Sequence, residues 1–150
     1  MAEKVIKSSF SMVNYTEANI RFRCKDKRKI SMWIESVVNK FPGKILGNIS
    51  VVFCNDEYLL EINKKYLSHD YYTDVITFDY TEGSVISGDI LISIERVKEN
   101  AKEYEATFEE ELHRVIIHGV LHLLGSKDSS VKERAEMSRR EDEALALWPE

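Results

Sequence analysis

Residues 118–128, HGVLHLLGSKD, bring together three side chains that can hold a metal ion. His118 and His122 are four residues apart, so on a helix of about 3.6 residues per turn their rings share one face, about 6 Å apart along the axis. Gly125 favours the left-handed backbone that ends helices, which lets Asp128 return toward the same point. Two nitrogens and one oxygen leave one tetrahedral position open, as in catalytic zinc sites. We therefore predict that His118, His122 and Asp128 bind one divalent metal ion, with zinc as the first choice.

The competing interpretation is that both histidines are ordinary core residues. It would also have to account for their spacing, for the glycine and for the aspartate, so we favour the metal site. The same spacing occurs in the extended zinc-protease motif HExxHxxGxxH/D, in which the glutamate after the first histidine is the general base. Gly119 occupies that position and cannot accept a proton, which disfavours peptide hydrolysis by that mechanism.

Length, composition and charge narrow the class of protein. A chain of 150 residues that is 43% hydrophobic, without a linker or repeat, suits a single domain over residues 1–150. The net charge of −5 argues against a protein that coats nucleic acid by bulk electrostatics. Any contact with nucleic acid must therefore be local. The basic segment 23–29, RCKDKRK, is either such a contact or an ordinary solvated face.

The cysteines and the lengths of the apolar runs indicate in which compartment the protein is expected. The two cysteines have no metal-binding spacing and are too few to cross-link a domain of this size, so we expect free thiols. The N-terminal residues lack the apolar core of a signal peptide, and the longest nearly apolar run is far shorter than the roughly 20 residues that span a bilayer. We expect a soluble cytoplasmic protein without a membrane partner.

The periodicity of apolar residues predicts three or four strands mixed with about five helices, an α+β arrangement. A capping box at Thr107–Glu110 begins the histidine-bearing helix, which is apolar over most of its surface and is expected in the core. A second capping box, Ser130–Glu133, begins a C-terminal helix. The other predicted elements are helices at 28–40, 56–67 and 93–106, strands at 45–54, 74–78 and 89–94, and a hairpin connection at 79–88.

Three further segments carry a resemblance to a known family. Residues 63–78, NKKYLSHDYYTDVITF, resemble the pattern NxxYRxxDxPTDVLSF, residues 88–93 resemble a GDI strand, and Met137 follows the third ligand position. With the motif at 118–128, which is close to HGxLHLxGYDH, these features are typical of the YbeY-type metal-dependent endoribonucleases. The chain is identified as a member of that family over roughly residues 55–145.

This resemblance implies a fold, an activity and partners. The fold is zincin-like and α+β, with the metal-binding helix in the core, and the protein is bacterial and cytoplasmic with one metal ion. The activity is single-strand-specific RNA cleavage in ribosomal RNA maturation, including the 3′ end of the small-subunit RNA, and in ribosome quality control. The expected partners are ribosomal RNA and a ribosomal subunit or ribosomal protein. The family's three histidine ligands correspond to His118, His122 and Asp128.

One departure from the family pattern concerns the substrate phosphate. The family's arginine after the tyrosine, expected to contact phosphate, is replaced by Leu67, which can neither donate a hydrogen bond nor neutralise charge. Arg96, Lys64 and Lys65 are possible substitutes, and Arg96 is the first choice because it follows the GDI strand.

The general base is open at this stage. Asp74, His69 and Glu95 are candidates because the family segment brings their region near the metal, although each can instead have a structural role. Arg96, Asp74 and His69 are thus the predicted catalytic residues, with either water or the RNA 2′-hydroxyl as nucleophile.

Two other functions compete with an endoribonuclease. A ribosome-associated assembly factor with little catalysis of its own is favoured by Leu67 and by the acidic net charge. A metalloprotease is a remote alternative, because it needs a base that Gly119 does not supply.

The aspartate at the third ligand position leads to a first prediction. An ion held by two neutral imidazoles and one carboxylate keeps less positive charge than an ion held by three imidazoles, so its Lewis acidity is weaker. We expect Asp128→His to shift the pH optimum of RNA cleavage downward relative to the unaltered protein. An unchanged or higher optimum in the pH–rate profile would contradict this expectation.

Overall fold

A computed structural model describes residues 12–149, which contain a four-stranded sheet and five helices. This confirms the predicted α+β arrangement. The N-terminal residues that lack a signal-peptide core lie outside the described part of the chain. The strands are β1 (Met12–Ala18), β2 (Ile45–Cys54), β3 (Val75–Asp79) and β4 (Val85–Ser93), and the helices are α1 (Lys27–Asn39), α2 (Asp56–Leu67), α3 (Ile94–Glu103), α4 (Phe108–Leu123) and α5 (Val131–Leu145).

The sheet is mixed, with the strand order β1-β2-β4-β3. β1, β2 and β4 are parallel, and β3 is an edge strand that pairs antiparallel with β4. The predicted hairpin between β3 and β4 is confirmed, and its turn is closed by a bridge between Glu82 and Val85. β1 is the strand that the sequence pattern did not reveal, because its residues alternate between exposed and half-buried and include few apolar side chains.

The two faces of the sheet carry separate apolar clusters, as the two-residue period of a strand requires. On one face, Ile49, Val51 and Phe53 of β2 join the large core that includes residues of α1, α3, α4 and α5. On the other face, Cys54 and Leu91 belong to a smaller cluster beneath α2. The histidine-bearing helix α4 lies in the large core, as predicted.

Polar caps determine where the helices near the site begin. The Asn55 side chain accepts a hydrogen bond from Tyr58 N at 2.9 Å at the start of α2. Both predicted capping boxes are present, with Thr107 and Glu110 at α4 and Ser130 and Glu133 at α5. Because such caps satisfy backbone groups that a helix leaves unpaired at its N-terminus, they define the ends of the segments that carry the candidate ligands.

Two glycines allow α4 to pack closely against the sheet. A Cβ atom at Gly119 would lie 2.7 Å from Ile90 Cγ2, and one at Gly88 would lie 2.7 Å from Leu123 Cδ2 of α4. Both distances are shorter than a van der Waals contact. Gly119 therefore faces β4, on a different side of α4 from the two histidines.

Two observations relate to the expected cellular environment. Cys24 and Cys54 are buried free thiols, and burial raises their pKa values to about 11 and about 12. In the part of the chain that the structure describes, no helix has the length and apolar character needed to cross a membrane.

The contact at Gly119 leads to a stability prediction. Alanine is preferred over glycine inside a helix by about 1 kcal/mol, but overpacking a core costs about 1–3 kcal/mol. We expect the clash with Ile90 to dominate, so that Gly119→Ala lowers the free energy of unfolding in urea denaturation. In the control, Gly119→Ala is made in an Ile90→Ala background, where the loss should be smaller. Equal losses in the two backgrounds would contradict the proposed contact.

Candidate metal centre

The structure brings the three predicted ligands to one point. His118 Nε2 and His122 Nε2 are 3.0 Å apart, and Asp128 Oδ2 is 3.3 Å from each of these nitrogens. The histidines come from the last turns of α4, and Gly125 has the positive φ of 99° that allows the chain to turn back toward them. The convergence of the three side chains that the sequence predicts is therefore present.

Hydrogen bonds behind each imidazole determine which nitrogen faces the centre. The Ser126 carbonyl oxygen lies 3.0 Å from His122 Nδ1, and Glu141 Oε2 lies 2.6 Å from His118 Nδ1. A carbonyl or carboxylate oxygen only accepts hydrogen bonds, so each Nδ1 carries a proton. In the neutral imidazoles, both Nε2 lone pairs then point toward the Asp128 carboxylate. This is the arrangement in which outer partners orient histidine ligands on a metal.

The donor set fits a divalent cation. Tetrahedral zinc with bonds of about 2.0–2.2 Å to nitrogen and oxygen has ligand atoms about 3.3–3.6 Å apart, close to the separations of 3.0 and 3.3 Å found here. Three electron-pair donors at such distances repel one another unless a positive charge lies between them. Within residues 12–149, these three side chains form a group able to hold a metal ion.

Carboxylates dominate the electrostatics around His118. Burial lowers the pKa of His118, but its hydrogen bond to Glu141 and the charges of Glu141, Asp128 and Asp74 outweigh this, so the pKa is raised. Burial also raises the pKa of Asp74 and of Glu111, and the nearby charge of His118 partly offsets the shift at Asp74. The negative electrostatic potential of such a cluster of carboxylates attracts cations.

The ligand atoms face a cavity of about 280 Å³. Asp74 and His69, two of the predicted catalytic residues, line it together with the three candidate ligands. The Asn100 amide donates a hydrogen bond to Asp74 Oδ2 at 3.2 Å, which holds this carboxylate. The remaining lining residues are Asn63, Leu67, Tyr71, Thr73, Val75, Ile76 and Thr77.

Arg96, the third predicted catalytic residue, lies outside this cavity. Its Nε is 3.2 Å from both carboxylate oxygens of Asp56, and its guanidinium lies over the Tyr72 ring, 5.9 Å from the centroid. Glu95 likewise accepts a hydrogen bond from Asp56 N at 2.7 Å. Because the charge of Arg96 is engaged where α2 meets α3, this placement does not support its predicted contact with substrate phosphate.

Glu141, which orients His118, was not among the residues predicted from the sequence. Glu141 also accepts a hydrogen bond from Arg114 Nη1 at 2.8 Å. One signal could have indicated it: Met137, Glu141 and Ala144 are the buried residues of α5 and recur at helical spacing. An acid on an otherwise apolar face needs a polar partner in the core, and here that partner is a candidate ligand.

Comparisons with known proteins show similarity over most of the chain. A family model described as Endoribonuclease YbeY matches residues 13–148. A protein of that name from Parabacteroides distasonis is 49% identical over 138 residues, which cover 92% of this chain and 96% of the relative. Another from Flavobacterium psychrophilum is 50% identical over 129 residues, covering 86% and 91% of the two chains.

A solved structure shows the same fold. The solution structure of a protein from Thermotoga maritima matches with a TM-score of 0.60 and 28% sequence identity, covering 91% of each chain. The family predicted from the motifs is thus confirmed by both the family model and the relatives. The chain belongs to the YbeY endoribonuclease family.

Proposed function

We propose that the protein is an endoribonuclease that uses one divalent metal ion, zinc, held by His118, His122 and Asp128. The observation that carries this proposal is the triad itself, whose three lone pairs converge at one end of an open cavity. Family membership supplies the reaction class, because the relatives are named endoribonucleases. As substrate we propose single-stranded ribosomal RNA, cleaved during maturation that includes the 3′ end of the small-subunit RNA, with a further role in ribosome quality control.

A divalent ion at this position would act as a Lewis acid on a phosphate oxygen or on the attacking nucleophile. The chain's own contribution is to orient the donors and to move protons. Asp74 is our choice for the general base, because it lines the cavity and its burial raises the pKa of the carboxyl, which makes the carboxylate a better proton acceptor. His69 is a second acid–base candidate, since it lines the same cavity and is exposed.

The cellular setting follows from the proposed substrate. We infer that residues 1–150 form a single domain that acts in the cytoplasm on a ribosomal subunit, through its RNA or a ribosomal protein. Support for a single domain comes from the single sheet formed by the described strands and from the match over residues 13–148. The buried free thiols suit a reducing compartment.

A ribosome assembly factor with little catalysis remains the second candidate function. The observation that favours it is that no described residue lining the cavity is Lys or Arg, although phosphoryl chemistry usually recruits such cations. This candidate would be supported if the protein without His122 still bound the ribosome and if the unaltered protein cleaved no RNA. A metalloprotease loses its remaining support, because Gly119 packs against Ile90 and leaves no room for the protease glutamate.

The metal site and the activity can be tested together. We expect the purified protein to contain one metal ion per chain and to cleave single-stranded RNA, and we expect His122→Ala, Asp128→Ala or a chelator to abolish both properties. Glu103→Ala is the control for the loss of one carboxylate, since the Glu103 side chain is exposed and does not line the cavity. Metal analysis with a gel-based cleavage assay measures the outcome, and full cleavage by metal-free protein would refute the proposal.

Glu141 provides a test of how the ligands are oriented. Loss of an outer partner typically weakens metal binding by about 10–100-fold. We expect an effect of this size for Glu141→Gln in a competition titration against a chromogenic chelator, because the neutral amide holds the His118 ring less strongly. Asp142→Asn is the matched control, since Asp142 also pairs with Arg114, at 2.7 Å, but does not contact His118. Equal effects of the two substitutions would mean that Arg114, not the orientation of His118, accounts for the loss.

A further inference from the structure

Exposed aromatic side chains are concentrated beside the candidate metal centre. The segment 66–72 connects α2 toward β3, and four of its seven residues are large hydrophobic side chains with 40–57% exposure: Tyr66, Leu67, Tyr71 and Tyr72. Tyr71 lines the cavity that the metal ligands face. Exposed apolar surface of this density beside a cavity is typical of a binding site.

Tyr71 is held in place by a buried residue. Asn63 is only 2% exposed, and its amide donates a hydrogen bond to the Tyr71 carbonyl oxygen at 2.9 Å. The Asn63 backbone carbonyl oxygen accepts a hydrogen bond from His69 N at 3.1 Å. A single residue of α2 therefore positions both ends of the turn that carries His69 and Tyr71, through its backbone at one end and its side chain at the other.

The two rings also support each other. The His69 and Tyr71 rings are stacked, with centroids 5.1 Å apart and planes inclined by 20°, and the Tyr71 hydroxyl lies 2.9 Å from His69 Nδ1. Tyr71 is nevertheless 55% exposed. The pair is thus an ordered aromatic surface that remains open to solvent, which is what a stacking ligand requires.

The described lining of the cavity has no cationic side chain. Leu67 stands at the position of the family's arginine, and Lys64 Nζ lies 3.5 Å from Asp70 Oδ1. The described residues that line the cavity include Asp74 and Asp128 but no Lys or Arg. A strand of RNA that enters this cavity therefore meets no cationic side chain in its described lining, so contacts with its bases have to add to the affinity.

We propose that Tyr71, backed by His69, stacks on an unpaired nucleobase of the RNA strand next to the cleavage site. This inference rests on the proposed endoribonuclease function and specifies how the substrate is recognised. Base stacking on aromatic side chains tolerates any base, because every base has a π face. It also selects single strands, since the bases of a duplex are already stacked on one another.

The first experiment measures RNA binding directly. A fluorescein-labelled oligouridylate of about ten nucleotides, within the usual site size for such surfaces, is titrated with protein in chelator so that the strand stays intact. We expect Tyr71→Ala to raise Kd about tenfold and Tyr71→Trp to bind like the unaltered protein, with tryptophan fluorescence quenched by the bound base. Tyr104→Ala is the control, because Tyr104 is 65% exposed but does not line the cavity.

A second experiment separates stacking from phosphate contacts. The same titration with an abasic oligonucleotide of equal length should give equal, weak binding for the unaltered protein and for Tyr71→Ala. The dependence of Kd on salt concentration should also be unchanged by Tyr71→Ala, since that slope reports phosphate contacts.

The outcomes distinguish a failure of the stacking proposal from a failure of the endoribonuclease proposal. If the unaltered protein cleaves RNA and Tyr71→Ala binds the oligouridylate with the same Kd, the stacking role is wrong and the nuclease function stands. Stacking would also be overturned if Tyr71→Trp lost as much affinity as Tyr71→Ala, or if Tyr71→Ala weakened binding of the abasic strand as much as binding of the oligouridylate. Absence of both RNA binding and cleavage by the unaltered protein would overturn both proposals.

Discussion

Two imidazole nitrogens and a carboxylate oxygen face one another within 3.3 Å, and hydrogen bonds behind the imidazoles keep their lone pairs pointing inward. Each part of this arrangement comes from a different local structure. α4 supplies the imidazoles, the turn after Gly125 supplies both Asp128 and the Ser126 carbonyl oxygen, and α5 supplies Glu141. The fold must hold these three segments together so that the donor atoms converge, and their packing and caps serve that purpose.

α4 meets two opposite requirements on its two sides. At Gly119 the helix needs a residue without a side chain so that it can lie against Ile90 of β4. The side that carries the histidines must be polar and must reach the cavity. The residue that follows the first histidine therefore belongs to the core and has no room for a glutamate. In the proposed mechanism the proton acceptor comes instead from the sheet side of the cavity, where Asp74 precedes β3 and accepts a hydrogen bond from Asn100.

The cavity also shows how an acidic protein can accept a polyanionic substrate. Its wall holds carboxylates and an exposed aromatic pair, while the nearby Lys64 and Arg96 are engaged with Asp70 and Asp56. Positive charge at the centre would then come from the bound ion, and the remaining affinity from the bases. The net charge of −5, which argues against coating nucleic acid by bulk electrostatics, is compatible with recognition of this local kind.

Several features followed from the sequence alone because their physical causes are local. The spacing of His118 and His122, the turn at Gly125 and the capping boxes depend on residues only a few positions apart, and the family motifs are contiguous segments. β1 was missed because its alternation of polar and apolar residues is weak, and its pairing with β2 depends on residues far away in the chain.

The tertiary structure alone decided which distant residues meet. Glu141 reaches His118 across 23 positions, and Arg96 pairs with Asp56 across 40 positions. Periodicity can mark Glu141 as buried, but the sequence does not indicate which distant residue either side chain meets. Sequence therefore determined the candidate ligand set and the family, whereas packing of α5 and α3 determined the orientation of His118 and the distance of Arg96 from the cavity. The physical reason is that ligand spacing is a property of one helix, while second partners and substrate contacts depend on how separate elements pack together.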